Sequence, residues 1–354
     1  MLYHLTHVLQ PYCSFLNVFH YVSVRAMSAL LTALLFSFLF GNKFIIFCQQ
    51  HFRTKVREWT PESHQSKNNT PTMGGLFILM VFFTNCLLWC NLTNVKVWIF
   101  LLCMAGFGAI GFLDDWFKII HKKGISAKLK FRLQIALAVS IALLWYFLTM
   151  PDTRLCIPFF KNFMPALGLF LIPWAAYIMI ATSNAVNLTD GLDGLATGPL
   201  ICNFFSYGLI AYLAGHIKFA EYLFIPYAGS AELAVVAATL VGALLGFLWY
   251  NTHPAEIFMG DVGSLPLGAG LALLALMARQ ELLLILSGGI FVLETVSVIL
   301  QVFSFKTRGK RIFRMAPIHH HFELLGWQET KITIRFWIIS LILSLLAIIT
   351  LKIR

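Results

Sequence analysis

The chain has 354 residues, 59% of them hydrophobic and 12% charged, where an ordinary soluble domain carries about a quarter charged residues. With a mean hydropathy of +0.80, this composition excludes a water-soluble protein and predicts an all-α integral membrane protein. The formal net charge of +11 does not point to nucleic acid, because no basic stretch is interleaved with stacking aromatics in an exposed domain; basic loops beside a membrane account for it.

A spanning helix needs about twenty apolar residues. Taken in order, the chain offers ten candidates, at 22–48, 73–91, 97–117, 131–150, 167–185, 195–214, 233–250, 262–278, 282–305 and 334–351. The stretch 1–21 before them holds no Lys or Arg, so it lacks the basic start of a signal peptide and reads as a short interfacial segment. The sixth to eighth spans are interrupted by Gly and Pro, and Arg279-Gln280-Glu281 separates the eighth from the ninth. No repeat period emerges, which argues against an inverted-repeat transporter. No gap admits a soluble domain, so 1–354 is predicted to be a single polytopic membrane domain. Cys48, Cys86, Cys90, Cys103 and Cys202 lie in or beside apolar runs as small hydrophobes. With no C-x-x-C pair, a structural zinc site is not expected.

Lys and Arg set the orientation. One set of loops carries Arg53, Lys55, Arg57 and Lys67, then Lys118, Lys122, Lys123, Lys128, Lys130 and Arg132, then Lys306, Arg308, Lys310, Arg311, Arg314, Lys331 and Arg335. The opposite set holds little beyond Lys96, Arg154, Lys161 and Lys218. The positive-inside rule makes the first set cytoplasmic. Ten spans then put both termini on the periplasmic side. The same assignment gathers Asp114-Asp115, Asp190 with Asp193, and Asp261 at cytoplasmic helix ends beside basic loops. Ionisable groups so close to hydrocarbon are costly and mark function.

The polar stretches follow in chain order. Lys67 to Gly75 combines a lysine, hydroxyls and glycines at the start of the second span, a possible anion cradle without P-loop spacing. Asp114 and Asp115 end a Gly-rich helix, where two acids oppose the macrodipole. Adjacent side chains diverge by about 100°, so one can face a metal and the other a substrate; simple neutralisation by Lys118 is the alternative. Asn187 to Gly194 sets two carboxylates three residues apart between apolar runs, either as a ligand-binding turn or as acidic helix caps. Asn251 to Ser264 has a polar end, a Pro-bent loop and then Gly-Asp-x-Gly-Ser opening a span. Asp261 suits both a hard cation and a plain N-cap, and the Gly263 and Ser264 amides could face phosphate. In His319-His320-His321 the three rings cannot all reach one metal; they are a solvated cluster or bind phosphate and shuttle protons. Carboxylates, basic loops and glycines at one membrane face suggest metal-assisted phosphoryl transfer between a soluble phosphate ester and a lipid.

The runs PTMGG (71–75), GFLDD (111–115), NAVNLTDGLDGLA (184–196), FMGDVGS (258–264) and RMAPIHHHFE (314–323) together resemble the bacterial phospho-N-acetylmuramoyl-pentapeptide-transferase family. The resemblance covers essentially the whole chain. The triple-His loop distinguishes that family within the polyprenyl-phosphate N-acetylhexosamine-1-phosphate transferase superfamily. It implies a ten-helix homodimeric enzyme of the bacterial inner (cytoplasmic) membrane, surrounded by membrane lipids, with a cytoplasmic active site and Mg²⁺ as cofactor. The implied reaction takes UDP-N-acetylmuramoyl-pentapeptide and undecaprenyl phosphate to lipid I and UMP. Carried over by motif, Asp261 is the principal Mg²⁺ ligand with Asn187 beside it. Asp114, Asp115, Asp261 and His320 are catalytic, with Asp114 the base toward the lipid phosphate. Asn187, Asp190, Gly191, Asp193 and Phe258 line the uridine and diphosphate pocket, Phe258 stacking on uracil. Lys67, Thr72, Lys118, Lys130, Asn251, Gln301, His319 and His321 complete the substrate-binding set. Asn69 and Trp116 depart from the family's common Gly and Tyr, which bears on local loop shape.

Two other classes compete. A sister transferase would use UDP-N-acetylglucosamine, against which the triple-His loop counts. A transporter should carry polar residues at mid-span on several helices, whereas here the main acids sit at one face. Glu294 is the exception, read as a structural partner inside the ninth span.

Overall fold

The computed structural model describes residues 1–52, 70–160 and 163–353. Among them the structure is helical without strands, with only isolated bridge residues such as the antiparallel pair Arg154 and Ala166. Helix α1 (Leu2–Leu9) and a 3₁₀ turn (Ser14–His20) lead into α2 (Val22–His51), followed by α3 (Gly74–Trp89), α4 (Val95–His121) and α5 (Ala127–Thr149). Next come α6 (Leu171–Thr189), α7 (Thr197–Ala214), the short α8 (Ile217–Leu223), α9 (Ala231–Asn251) and α10 (Asp261–Met277). The chain closes with α11 (Leu284–Ser287), α12 (Gly289–Arg308), α13 (Ile318–Glu323) and α14 (Glu329–Thr350).

Eight helical segments are long and apolar enough to cross a membrane by length and composition: α2, α4, α5, α6 with its leading 3₁₀ turn, α7, α9, α12 and α14. The second and eighth predicted spans form α3 and α10, apolar helices of 16 and 17 residues, or about 24–26 Å at 1.5 Å per residue. For α10 the shortness is tolerated because protein surrounds it. Every residue from Val262 to Met277 is buried, against α3, α4, α6 and α7.

Two small-residue contacts allow that enclosure. A Cβ on Gly75 would lie 2.1 Å from the Gly263 Cα, and one on Gly111 would lie 2.1 Å from the Asp261 carbonyl oxygen. Backbones this close accept no side chain between them. The start of α3 is also stitched to the loop before α10, as Gly74 and Gly75 donate N–H bonds of 2.8 Å to the carbonyls of Phe258 and Met259.

The ninth predicted span is not one helix. It opens with a 3₁₀ turn (Glu281–Leu283) and α11, then breaks before α12. The break falls at Ser287-Gly288-Gly289, small residues with little helix propensity. The expected division from the eighth span is present: α10 ends at Met277 and Arg279 adopts a left-handed φ of 57°.

At the opposite end from the acidic motifs, a buried ion pair joins the starts of α2 and α9. Arg25 Nη1 and Nη2 lie 2.5 and 2.9 Å from the Glu232 carboxylate oxygens, and Asn91 N–H donates to the same carboxylate at 2.7 Å. Charges this buried persist only when paired and hydrogen-bonded. The acidic motifs themselves meet where the carboxyl ends of α4, α6 and α9 approach the amino ends of α10 and α14.

Candidate active site

Asp261 opens α10 at the centre of the site, and its two oxygens are held from different helices. Asn187, near the end of α6, donates its Nδ2 to Asp261 Oδ1 at 2.8 Å and to Ser264 Oγ at 2.8 Å. Lys118 Nζ lies 3.0 Å from Asp261 Oδ2, and Lys130 from α5 contacts the same oxygen. Gly260 just before it has φ +73°, and a Cβ there would stand 2.6 Å from Asp115 Oδ2. This explains the glycine: the turn must be left-handed and must pass against a carboxylate.

Asp114 and Asp115 divide as their helical positions require. Asp114 accepts from the Ile125 N–H at 2.9 Å and pairs with Lys118 and Lys130 at 2.8 and 3.3 Å. Asp115 turns toward α10, accepting from Val262 N–H at 3.1 Å and pairing with Lys118 at 3.0 Å. Oxygens of Asp114, Asp115 and Asp261 lie within 4.8 Å of one another, an arrangement able to hold a metal ion. Carboxylate oxygens without sulfur or imidazole suit a hard cation.

A cavity of about 330 Å³ opens beside this centre. It is lined by Thr72, Asp115, Lys118, Asn187, Asp190 to Asp193, Asn251, Phe258, Gly260 and Asp261. Asn251 is itself braced, accepting from Thr197 Oγ1 and donating to the Ile257 carbonyl, both at 2.9 Å. Desolvation, then the carboxylates of Asp261, Asp115 and Asp193, push the Asp190 carboxyl up to about 7. A second, mostly apolar cavity of about 300 Å³ follows α6 from Trp174 to Ala185, opposite α11 and α12. It ends two residues short of Asn187.

The structure thus brings together Thr72, Asp114, Asp115, Lys118, Lys130, Asn187, Asp190, Gly191, Asp193, Asn251, Phe258 and Asp261. Lys67 lies outside the described residues. The three histidines point three ways, and none lines the main cavity. His319 is buried, its Nδ1 3.1 Å from Glu294 Oε2, and its Nε2 would be 2.3 Å from a Cβ on Gly191. His320 Nδ1 lies 2.6 Å from Glu323 Oε2, and His321 Nδ1 accepts from the Arg314 N–H at 3.1 Å. Gln301 folds the following loop back on itself, accepting from the N–H groups of Ile312 and Phe313 at 3.0 Å.

Sequence reasoning missed His253 and Glu329, which form a second cluster with Asp193. His253 stands inside a stretch already singled out, and its neighbours could have flagged it. Glu329 carries no such signal, being 136 residues from the Asp193 N–H that it accepts.

The sequence model of the family described as "Glycosyl transferase family 4" matches residues 97–279. A "Phospho-N-acetylmuramoyl-pentapeptide-transferase signature 1" matches residues 67–79. The chain is 51% identical over 359 residues to a protein of Desulfosudis oleivorans (strain DSM 6200 / JCM 39069 / Hxd3) named phospho-N-acetylmuramoyl-pentapeptide-transferase, covering 100% of both chains.

Proposed function

The chain belongs to the phospho-N-acetylmuramoyl-pentapeptide-transferase family, and we infer from this that it transfers phospho-N-acetylmuramoyl-pentapeptide from its UDP carrier to undecaprenyl phosphate, giving lipid I and UMP. The observation that carries this reading is a cluster of three carboxylates and two lysines, of which Asp115, Asp261 and Lys118 line one cavity together with the 190–193 turn and Phe258. In the reaction an oxygen of the acceptor phosphate bonds to the sugar-bearing phosphorus, while the bond from that phosphorus to the bridging oxygen breaks and leaves with UMP. A bound Mg²⁺ would supply neutralisation of the diphosphate and of the charge developing on the leaving oxygen. Asp261 and Asp115 would hold it, with Asn187 beside Asp261, its Nδ2 on Oδ1. Lys118 and Lys130 offset the charge of the two phosphates in a site partly shielded from water, where such contacts weigh heavily. Asp114, on the Lys130 side, orients the acceptor phosphate and takes its proton. Phe258 and the Asp190–Asp193 turn receive the uridine nucleotide, and the apolar cavity along α6 receives the polyprenyl chain.

The placement follows from the same reading. Ten helices cross the bacterial inner membrane, α3 and α10 joining the eight longer ones. Both termini face the periplasm and the carboxylates face the cytoplasm, beside most of the Lys and Arg loops. The homodimer is carried over from the family. The deciding experiment is UMP release in detergent from UDP-N-acetylmuramoyl-pentapeptide, with and without undecaprenyl phosphate and Mg²⁺. Release is expected only with all three present. Equal turnover of UDP-N-acetylglucosamine would instead assign the chain to a sister transferase.

A further inference from the structure

The last helix grips the donor turn by its main chain. Glu329, Thr333 and Trp337 are spaced four apart, so they line one face of α14. Glu329 Oε1 accepts from the Asp193 N–H at 2.7 Å. Thr333 Oγ1 donates to the Asp193 carbonyl at 3.4 Å, and Trp337 Nε1 donates to the Gly194 carbonyl at 3.0 Å. The fit is close, since a Cβ on Gly198 would stand 2.2 Å from Trp337 Nε1. The Asp193 side chain is held by the loop after α9, whose His253 Nδ1 also lies 3.5 Å from Glu329 Oε2. Asp193 Oδ2 lies 3.0 Å from His253 Nδ1 and accepts from the Ala255 N–H at 3.2 Å. Asp193 is only 3% exposed, yet it borders the main cavity. Among the described contacts, these bonds secure Asp193 without touching the Asp114, Asp115, Asp261 centre.

We propose that Glu329, Thr333 and Trp337 are positioning residues that set the main chain of Asp193 for the nucleotide donor, with His253 setting its carboxylate. This rests on the reading above that Asp193 belongs to the donor pocket. A ladder of this kind affects which donor is held and how tightly, and leaves the chemistry to α4, α5 and α10. Loss of one ordinary hydrogen bond corresponds to about a three- to tenfold change in an equilibrium.

The test is steady-state kinetics of the full chain in detergent, varying donor and acceptor in turn, with thermal unfolding measured alongside. Glu329→Ala, Thr333→Val and Trp337→Phe are each expected to raise the donor KM about three- to tenfold. kcat should stay within about twofold, and the acceptor KM should not move. Glu329→Gln keeps an acceptor oxygen and should stay near the parent. In an Asp193→Asn background the Trp337→Phe change should add little to the donor KM, because the group being positioned is already altered. An unchanged donor KM in all three ladder variants overturns the proposal. So does a parallel loss of kcat and both KM values with a lowered unfolding temperature, which marks a purely structural role. Asp193→Asn alone separates the two layers. If it raises the donor KM while the ladder variants do not, only the ladder role fails. If it leaves the donor KM untouched, the donor-pocket assignment fails and the ladder role with it.

Discussion

Asp114 and Asp115 are neighbours in the chain but serve different partners: Asp114 faces Lys130 and the Ile125 N–H, and Asp115 faces Val262 on α10. General-base assistance is typically worth about 10²–10⁴-fold. Asp114→Asn should therefore cut turnover by that much while uridine-nucleotide affinity survives, and equal loss of both would remove the base assignment. Asp261→Asn should act through metal instead. Disturbing even an outer partner of a bound metal typically costs about 10–100-fold in affinity, so the Mg²⁺ needed for half-maximal turnover should rise by at least that factor. Near-normal activity at unchanged Mg²⁺ would reduce Asp261 to a helix cap. Gly191 offers a third check, since a Cβ there would sit 2.3 Å from His319 Nε2. A displacement of about 1 Å in a substrate-positioning group can cost about a hundredfold. Gly191→Ala should lose turnover on that scale, and unimpaired kinetics would mean that the buried imidazole does not confine the turn. The carboxylates were legible because each sits in a short motif whose chemistry is local. His319 stands out in the sequence by its motif but its placement was not legible, because burial against Glu294 depends on how α12 and α13 pack.

Among the elements, the spans announced themselves by hydropathy, and their interruptions did not. A run of apolar residues reads the same whether or not Gly288 breaks it, so α11 and α12 looked continuous. The enclosure of α10 was equally hidden: its sequence is no more apolar than its neighbours', and only its glycines hint at close contact with α3 and α4. The Arg25–Glu232 pair went unread because its two members are 207 residues apart. Breaking one side of a buried pair typically costs about 3–5 kcal/mol, so Arg25→Met should lower the unfolding temperature in detergent markedly. Adding Glu232→Met should recover much of the loss, because no unpaired charge then remains. If the double variant were no more stable than the single, the carboxylate would not be the source of the penalty.

For the molecule as a whole, the orientation rests on an asymmetry of Lys and Arg that no helix carries alone. Cysteines placed at Ile120 and Lys310, in a chain with Cys13→Ser to remove the exposed native thiol, should resist an impermeant reagent applied to intact cells. Ready labelling at either position would invert the topology and move the carboxylates to the other face.

The α14 ladder also bears on the order in which a ribosome makes the enzyme. Every carboxylate of the reacting centre lies within the first 261 residues, whereas Glu329, Thr333 and Trp337 emerge only after all the other helices. On the proposal above, a nascent chain still lacking α14 would already carry the three carboxylates, while Asp193 would keep only its side-chain bonds to His253 and Ala255. Its donor turn would then hold the nucleotide about three- to tenfold more weakly until α14 packs against it.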